Sequence, residues 1–246
     1  MNSQLIHEGE RLDDLHRKGY KIIQSPGDFC FGIDAVLLAS FAKTKENEKV
    51  LDIGTGTGII PILMEARYSG EYTAVEIQEK VADMAKRSVI YNNLKDRIDI
   101  RNEDIKITYE KYGNGTFDVV TTNPPYMTAD NGIVNPNGSK ALSRHELTID
   151  LEDIVRISAR LLKNKGRFYM IHRPARLVEI MSVMRKYRLE IKRLRMVHPY
   201  IDKEANMVLI EAVCDGGAFM KVESPLIVYE SQGKYTKEIM DIYYGE

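Results

Sequence analysis

The short stretch Asn123-Pro124-Pro125-Tyr126 has the groups needed to bind and orient a planar ligand that carries an amine. It follows an apolar run, residues 117–122, that is typical of a short buried strand, and the prolines end this strand because they donate no backbone N–H to a ladder. The Asn123 side-chain oxygen and the Pro124 carbonyl are hydrogen-bond acceptors, and the Tyr126 ring offers a stacking surface. By itself, the same pattern is equally typical of an ordinary strand followed by a Pro-Pro turn.

A glycine loop occurs earlier in the chain, directly after the predicted strand 50–53. Gly54, Gly56 and Gly58 permit positive φ and let a ligand approach the backbone closely. The spacing differs from the G-x-G-x-x-G dinucleotide fingerprint, because the third glycine comes one residue early. Asp52 precedes the loop and no lysine lies within it, which disfavours a phosphate and favours a nucleoside that carries a positive charge.

Two further acidic residues follow predicted strands. Glu76 ends the strand 72–76, where a carboxylate can accept hydrogen bonds from ribose hydroxyls. Asp104 follows the strand 98–100 and is placed to accept from an adenine amine, with Ile105 beside the ring. For both carboxylates, an ordinary exposed surface role remains an alternative.

Predicted strands alternate with predicted helices, which indicates an α/β fold with a doubly wound parallel sheet and right-handed crossovers. Functional loops of such sheets lie at the carboxyl ends of the strands, so the motifs are expected to meet at one edge. Two late strands are close enough in sequence to pair as an antiparallel unit. The predicted strands are residues 20–24, 29–31, 50–53, 72–76, 98–100, 117–122, 167–172, 191–197 and 207–214, and the predicted helices are residues 33–42, 59–67, 79–92, 151–162 and 175–187.

The composition is that of an ordinary folded protein, with 43% hydrophobic and 29% charged residues and a net charge of −1. Between Arg156 and Asn206, however, there are 14 Lys and Arg residues against 4 Asp and Glu residues. This excess of basic residues favours an anionic partner that docks on one side of the protein, although solvated helix faces would give the same excess.

The cysteines and the lengths of the apolar runs argue against a zinc protein, a disulfide-stabilised protein and a membrane-spanning protein. Cys30 and Cys214 have no neighbouring His or Cys at ligand spacing, so neither a zinc site nor a disulfide framework is expected. No apolar run is long enough to span a bilayer, and the N-terminus has no signal pattern. We therefore expect a cytoplasmic protein with no membrane partner.

Taken together, the glycine loop with Asp52, the acids Glu76 and Asp104, and the Asn-Pro-Pro-Tyr stretch resemble the class I S-adenosylmethionine-dependent methyltransferases. The last motif is similar to that of the amino-methyltransferases, which act on planar exocyclic or amide nitrogens. The block 29–38, the block Ser143-Arg144-His145-Glu146 and the short C-terminal extension narrow the resemblance. They are similar to the bacterial tRNA adenine N6-methyltransferases that modify position 37, next to the anticodon, of a valine tRNA.

This resemblance implies a Rossmann-like, seven-stranded, doubly wound sheet that is mostly parallel with a late antiparallel hairpin. The expected segments are an edge-covering extension (1–45), a methyltransferase domain (46–215) and a C-terminal extension packed on it (216–246). S-adenosylmethionine is the implied cofactor and tRNA the implied partner, with no metal and a monomeric state. The residues implied to bind the cofactor are Asp34, Asp52, Gly54, Thr55, Gly56, Gly58, Glu76, Ile77, Asp104, Ile105 and Asn123.

The implied catalytic residues are Asn123, Pro124, Pro125 and Tyr126. Acceptance of both adenine N6 hydrogens, by the Asn123 side-chain oxygen and the Pro124 carbonyl, would localise the nitrogen lone pair, while Tyr126 stacks on the base. No strong base is needed, because the proton becomes acidic only after methylation. Residues 127–143 are predicted to form a flap, and the expected RNA contacts are Arg144, His145, Arg173, Arg176, Arg193 and Arg195.

Other functions remain open. A ribosomal RNA guanine N2-methyltransferase is close to this pattern. Protein glutamine N5-methyltransferases carry the same Asn-Pro-Pro-Tyr block, but we expect the residues before the glycine loop to be too few for their helical substrate domain. A DNA adenine methyltransferase would need a separate recognition domain. The glycine spacing disfavours a nicotinamide oxidoreductase, and the intact Asn-Pro-Pro-Tyr block disfavours a non-catalytic RNA-binding module.

Overall fold

The computed structural model describes residues 5–27, 30–126 and 150–245. Strands and helices alternate through most of this part of the chain. In chain order they are β1 (Arg11–Asp14), β2 (Lys21–Gln24), α1 (Ile33–Phe41), β3 (Lys49–Ile53), α2 (Ile59–Glu65), β4 (Glu71–Glu76), α3 (Glu79–Tyr91), β5 (Ile98–Asn102), α4 (Ile105–Tyr112), β6 (Phe117–Thr122), α5 (Leu151–Leu161), β7 (Leu162–His172), a 3₁₀ turn (Pro174–Arg176), α6 (Leu177–Lys186), β8 (Leu189–His198), β9 (Met207–Cys214), β10 (Lys221–Val222), β11 (Leu226–Ile227), β12 (Tyr229–Ser231), β13 (Lys234–Tyr235) and α7 (Lys237–Tyr244).

Seven long strands form the central sheet in the order β5-β4-β3-β6-β7-β9-β8. All neighbours from β5 to β7 are parallel, whereas β9 is antiparallel to both β7 and β8. The predicted doubly wound, seven-stranded sheet with a late antiparallel hairpin is therefore confirmed. The two short strands β10 and β11 add to it by pairing in parallel with β8.

The central strands are buried because helices cover both faces of the sheet. Val119 packs on one face with α1 and α2, and the next residue, Val120, packs on the other face with α5 and α6. Both valines are fully buried. Because neighbouring strand residues point to opposite faces, the apolar run of β6 fills both halves of the core and fixes where the following Asn123 begins.

The two chain ends cover the sides of this core. Ile23 of β2 lies against α3, where its backbone N–H donates to Ser88 Oγ over 2.9 Å. At the other end, Ile239 of α7 is buried in the cluster that contains α1 and α2. Arg17 and Arg67 both donate to the Ile242 carbonyl, over 2.8 and 2.7 Å, and so bind the C-terminal helix to the N-terminal segment and α2. The division into segments 1–45, 46–215 and 216–246 stays a prediction.

Several elements differ from the sequence prediction. β1, α4, the short strands β10 to β13 and α7 were not predicted, and the proposed strand 29–31 is wrong for its described residues Cys30 and Phe31, which lie outside any strand. β1 is a polar Arg-Leu-Asp-Asp segment that becomes a strand only by pairing with β2. Tertiary pairing overrides weak local propensity at such sites.

No helix in the described ranges is long and apolar enough to cross a membrane.

Candidate active site

The predicted motifs meet at the carboxyl edge of the sheet. Ile53 of β3 is in register with Val75 of β4 on one side and with Thr122 of β6 on the other. The residues that follow these three, which include Glu76 and Asn123, therefore begin at the same edge as the glycine loop. Strand order alone thus brings the nucleoside-binding motif beside the Asn-Pro-Pro-Tyr motif.

The glycine loop has left-handed backbone geometry at each glycine, with φ of 68° at Gly54, 58° at Gly56 and 86° at Gly58. The Gly54 and Thr55 N–H groups both donate to the Val75 carbonyl over 3.0 Å, which ties the loop to β4. A Cβ at Gly58 would meet the Ala85 Cβ at 3.4 Å. The positive φ values explain why glycine is used here, because other L-residues rarely adopt them.

Glu76 lies directly under this loop and is only 6% exposed. The Gly56 N–H donates to its Oε2 over 3.0 Å, and the Gln78 N–H donates to its Oε1 over 2.9 Å. Burial raises the pKa of Glu76, and these backbone donors oppose the rise. Each carboxylate oxygen keeps a lone pair for another donor, so two ribose hydroxyls can still bind.

Asn102 supports Glu76 and was not predicted as a site residue. Its Nδ2 donates to the Glu76 carbonyl over 2.9 Å and to the Ile77 carbonyl over 3.0 Å. The available signal was its position as the last residue of β5, at the same edge of the sheet. The neighbouring Ile77 is 43% exposed, as an apolar residue at the rim of a binding site would be.

Asp52 is fully buried at the start of the loop. Its Oδ1 accepts from Thr121 Oγ1 over 2.6 Å, whereas its Oδ2 has no partner among the described residues. The side-chain oxygens of Thr55 and Thr57 in the loop are likewise buried without a hydrogen bond of good geometry to a described residue, although the Thr55 hydroxyl is near enough to Asp52 to favour its charged form. Unpaired buried acceptors favour a ligand with donors and a positive charge, so these residues fit S-adenosylmethionine.

Burial raises the pKa of Asp52 to about 7, against the opposing effects of the Thr121 and Thr55 hydroxyls. The unfolded value is about 3.9, so the folded protein binds more protons than the unfolded chain between these two values. The contribution of Asp52 to stability therefore falls as pH rises from about 4 to about 7.

We expect the Asp52→Asn variant without cofactor to have a higher Tm than the wild type at about pH 8, because the buried charge is removed. The gain should shrink as the pH falls to about 5, where the wild-type carboxyl is protonated. Thermal unfolding at both pH values measures this. An equal change in Tm at both pH values would contradict the raised pKa.

Tyr126 links the Asn-Pro-Pro-Tyr stretch to helix α1. Its hydroxyl donates to Asp34 Oδ2 over 2.7 Å and lies 2.9 Å from Asn123 Oδ1. The Arg173 guanidinium lies over the Tyr126 ring, 4.7 Å from the centroid, and the His172 ring packs at 5.3 Å with an interplanar angle of 64°. Burial and the nearby Asp34 raise the pKa of Tyr126, so the phenol keeps its proton.

His172 is a second residue that the sequence prediction missed. It ends β7, is 1% exposed, and accepts a 2.7 Å hydrogen bond at Nδ1 from the Arg173 N–H. Burial, together with the positive charge of Arg176, lowers its pKa to about 4. The neutral ring therefore carries its proton on Nε2 and supports Tyr126 without adding a charge to the site.

Asp104 and Ile105 occupy the start of α4 rather than an open loop. Asp104 Oδ1 accepts from the Lys106 N–H over 2.8 Å, which makes Asp104 the N-cap of the helix. Ile105 is 6% exposed and packs in the core. The proposed contacts of these two residues with adenine stay a prediction, since a carboxylate that caps a helix retains further acceptor capacity.

The predicted RNA-binding arginines occupy different environments. Arg173 lies at the Tyr126 ring. By contrast, Arg193 donates to Glu211 over 2.7 Å, and Arg195 makes two bonds to Glu238 over 2.7 and 2.8 Å. The guanidinium of Arg176 is bound by Glu179. Arg144, His145 and the proposed flap 127–143 lie outside the described residues.

Among the described residues, no group of three or more His, Cys, Asp or Glu side chains is arranged to hold a metal ion.

The model of one protein family, the methyltransferase small domain, matches residues 19–187. The chain belongs to this family. It is an S-adenosylmethionine-dependent methyltransferase, which confirms the enzyme class and the cofactor predicted from the resemblance.

Relatives of this methyltransferase include two proteins named tRNA1(Val) (adenine(37)-N6)-methyltransferase. The one from Phocaeicola vulgatus is 30% identical over 180 residues, which are 73% of this chain and 74% of the relative. The one from Porphyromonas gingivalis is 29% identical over 233 residues, which are 90% of this chain and 89% of the relative.

Solved structures with the same fold include two methyltransferases. A protein from Agrobacterium tumefaciens, described as a predicted O-methyltransferase, has a TM-score of 0.69 at 23% identity and covers 86% of this chain and 96% of its own. A geranyl diphosphate C-methyltransferase from Streptomyces coelicolor in complex with S-adenosyl-L-homocysteine has a TM-score of 0.57 at 16% identity. This match covers 74% of the present chain and 75% of the geranyl diphosphate enzyme. These similarities concern the fold alone and agree with the Rossmann-like sheet.

Proposed function

We propose that this methyltransferase transfers a methyl group from S-adenosylmethionine to N6 of an adenine in tRNA, at position 37 next to the anticodon of a valine tRNA. The observation that carries the proposal is the position of Asn123 and Tyr126 at the end of β6, one strand from the glycine loop of β3. The names of the two relatives support the same substrate.

S-adenosylmethionine supplies an electrophilic methyl group on a sulfonium. The adenine N6 lone pair is delocalised into the ring and attacks poorly. Acceptors at the Asn123 carboxamide and the Pro124 carbonyl would bind the two N6 hydrogens and favour a pyramidal nitrogen with a localised lone pair. Positioning and fixed dipoles then supply most of the rate, and the N6 proton leaves to solvent after transfer.

Tyr126 provides the surface for the target base. An adenine in an anticodon loop is unpaired, so it can leave its stack at modest cost and place its ring on an aromatic side chain. Arg173 now covers one face of the Tyr126 ring. A base that stacks on this face takes the place of the guanidinium, which is then free to bind a neighbouring phosphate.

The test is incubation of the protein with methyl-labelled S-adenosylmethionine and a valine tRNA transcript, followed by nucleoside analysis. We expect labelled N6-methyladenosine. A transcript with another base at position 37 should accept no label, and it serves as the control for the site.

Two results would redirect the assignment. Label in methylguanosine of ribosomal RNA would indicate a guanine N2-methyltransferase. Label in the glutamine of a release factor would indicate a protein N5-methyltransferase. Absence of labelled adenosine in all tRNA substrates would reject the proposal.

A further inference from the structure

We propose that Asp34 is a positioning residue that acts through the Tyr126 hydroxyl to orient the Asn123 carboxamide, so that the oxygen of this amide faces the target amine. The inference rests on the proposed role of Asn123 as an acceptor. It assigns Asp34 a different task from the cofactor contact predicted from the sequence.

The hydroxyl proton of Tyr126 lies between two acceptors. The Tyr126 hydroxyl has a single hydrogen, yet Asp34 Oδ2 lies 2.7 Å and Asn123 Oδ1 lies 2.9 Å from its oxygen. The carboxylate accepts hydrogen bonds only, and a charged acceptor forms the stronger bond, so the hydroxyl donates to Asp34 rather than to Asn123. The Tyr126 oxygen is then left as an acceptor towards Asn123.

The chemistry of the amide then favours a turn of the Asn123 side chain. The structure places Asn123 Oδ1 next to the Tyr126 oxygen. When the hydroxyl donates to Asp34, two acceptors face each other there, so a half-turn of the carboxamide is favoured, in which Nδ2 donates to Tyr126 and Oδ1 faces the opposite direction. In that orientation Oδ1 is free to accept from an amine hydrogen of the substrate. Without the carboxylate, the hydroxyl would donate to Oδ1 and hold the required acceptor away from the target.

The position of Asp34 is itself fixed by its surroundings. Its Oδ1 accepts from the Ala35 N–H over 2.9 Å, which leaves Oδ2 directed to Tyr126. A Cβ at Gly32 would come within 2.6 Å of Asp34 Oδ1. Glycine at this position therefore leaves room for the carboxylate.

The ring and the hydroxyl of Tyr126 have separate supports. Arg173 and His172 contact the ring, whereas Asp34 and Asn123 contact the hydroxyl. Tyr126→Phe therefore removes the hydroxyl while it preserves the stacking surface. The role of the hydroxyl can therefore be tested separately from the role of the ring.

The experiment measures kcat, KM and cofactor affinity for Asp34→Ala, Tyr126→Phe and the double variant, with the melting temperature as a check on folding. We expect Asp34→Ala to lower kcat by about 10- to 100-fold, with cofactor affinity unchanged, because the hydroxyl now donates to Asn123 Oδ1. Tyr126→Phe should lose less, because the amide can then turn freely. Adding Tyr126→Phe to Asp34→Ala should therefore raise kcat to the level of Tyr126→Phe alone.

This rescue is the deciding readout, since loss of two merely structural contacts would not increase activity. A double variant that is no faster than Asp34→Ala would overturn the inference. So would weaker cofactor binding by Asp34→Ala with unchanged kcat at saturation, which would return Asp34 to the cofactor site. Failure of the proposed function is separately visible, because the wild-type protein would then leave the tRNA adenine unlabelled.

Discussion

Replacing Asn123 with alanine is expected to lower kcat for methyl transfer by about 10²- to 10³-fold or more, the range seen when one fixed polar group that stabilises a transition state is removed. The carboxamide is the side-chain acceptor that would bind N6 of the target, and it begins directly after Thr122 at the end of β6. Without it, the nitrogen keeps its delocalised lone pair, while the ring can still stack on Tyr126.

Cofactor affinity should remain near the wild-type value in Asn123→Ala, because Glu76 and the glycine loop are untouched. Isothermal titration with S-adenosylmethionine and single-turnover methylation measure the two quantities separately. Asn114→Ala is the matched control, since Asn114 is exposed and precedes β6 at its opposite end. Equal losses of binding and methylation in Asn123→Ala would show that Asn123 mainly holds the cofactor.

Replacing Glu76 with alanine is expected to weaken S-adenosylmethionine binding by about 10²-fold or more. A hydrogen bond to a charged group contributes about 1.5–3 kcal/mol, and two ribose hydroxyls would each lose one. The side chain also accepts from the Gly56 and Gln78 N–H groups, so the variant should loosen the glycine loop as well. Part of the loss in affinity would then be the cost of ordering the loop again.

Glu71→Ala is the control for this variant, because Glu71 is an exposed glutamate at the other end of the same strand, β4. Its affinity for the cofactor should match that of the wild type. Equilibrium binding measures both variants. Wild-type affinity in Glu76→Ala would refute the ribose role of this carboxylate.

The sequence was sufficient where a local rule acts at a strand end. Gly54, Gly56 and Gly58 all have the positive φ that their residue type permits. The prolines 124 and 125 follow the end of β6 as predicted. Because parallel strands share one carboxyl edge, these local features also placed the glycine loop, Glu76 and Asn123 together without knowledge of any contact.

Local rules did not predict the interactions that the structure shows for two of the expected site residues. Asp104 has the residue type of a ligand acid, yet it caps α4, a helix rich in residues of only moderate helix propensity. Arg193 belongs to a basic region, yet its guanidinium is enclosed by Glu211 and by the ring of Phe41, 3.8 Å away. Charge counts along the chain do not distinguish a free cation from a paired one.

The sequence by itself determined the sheet, the family and the edge at which the chemistry occurs, because strand alternation and residue types encode these locally. Only the tertiary structure decided how Tyr126 is held. Asp34 and Tyr126 are 92 positions apart, and their hydrogen bond forms because the first turn of α1 lies next to the segment that follows β6. His172 and Asn102 likewise contact residues that lie far from them in the sequence, Tyr126 and Glu76. Contacts across such separations depend on packing geometry, which no local pattern of residues contains.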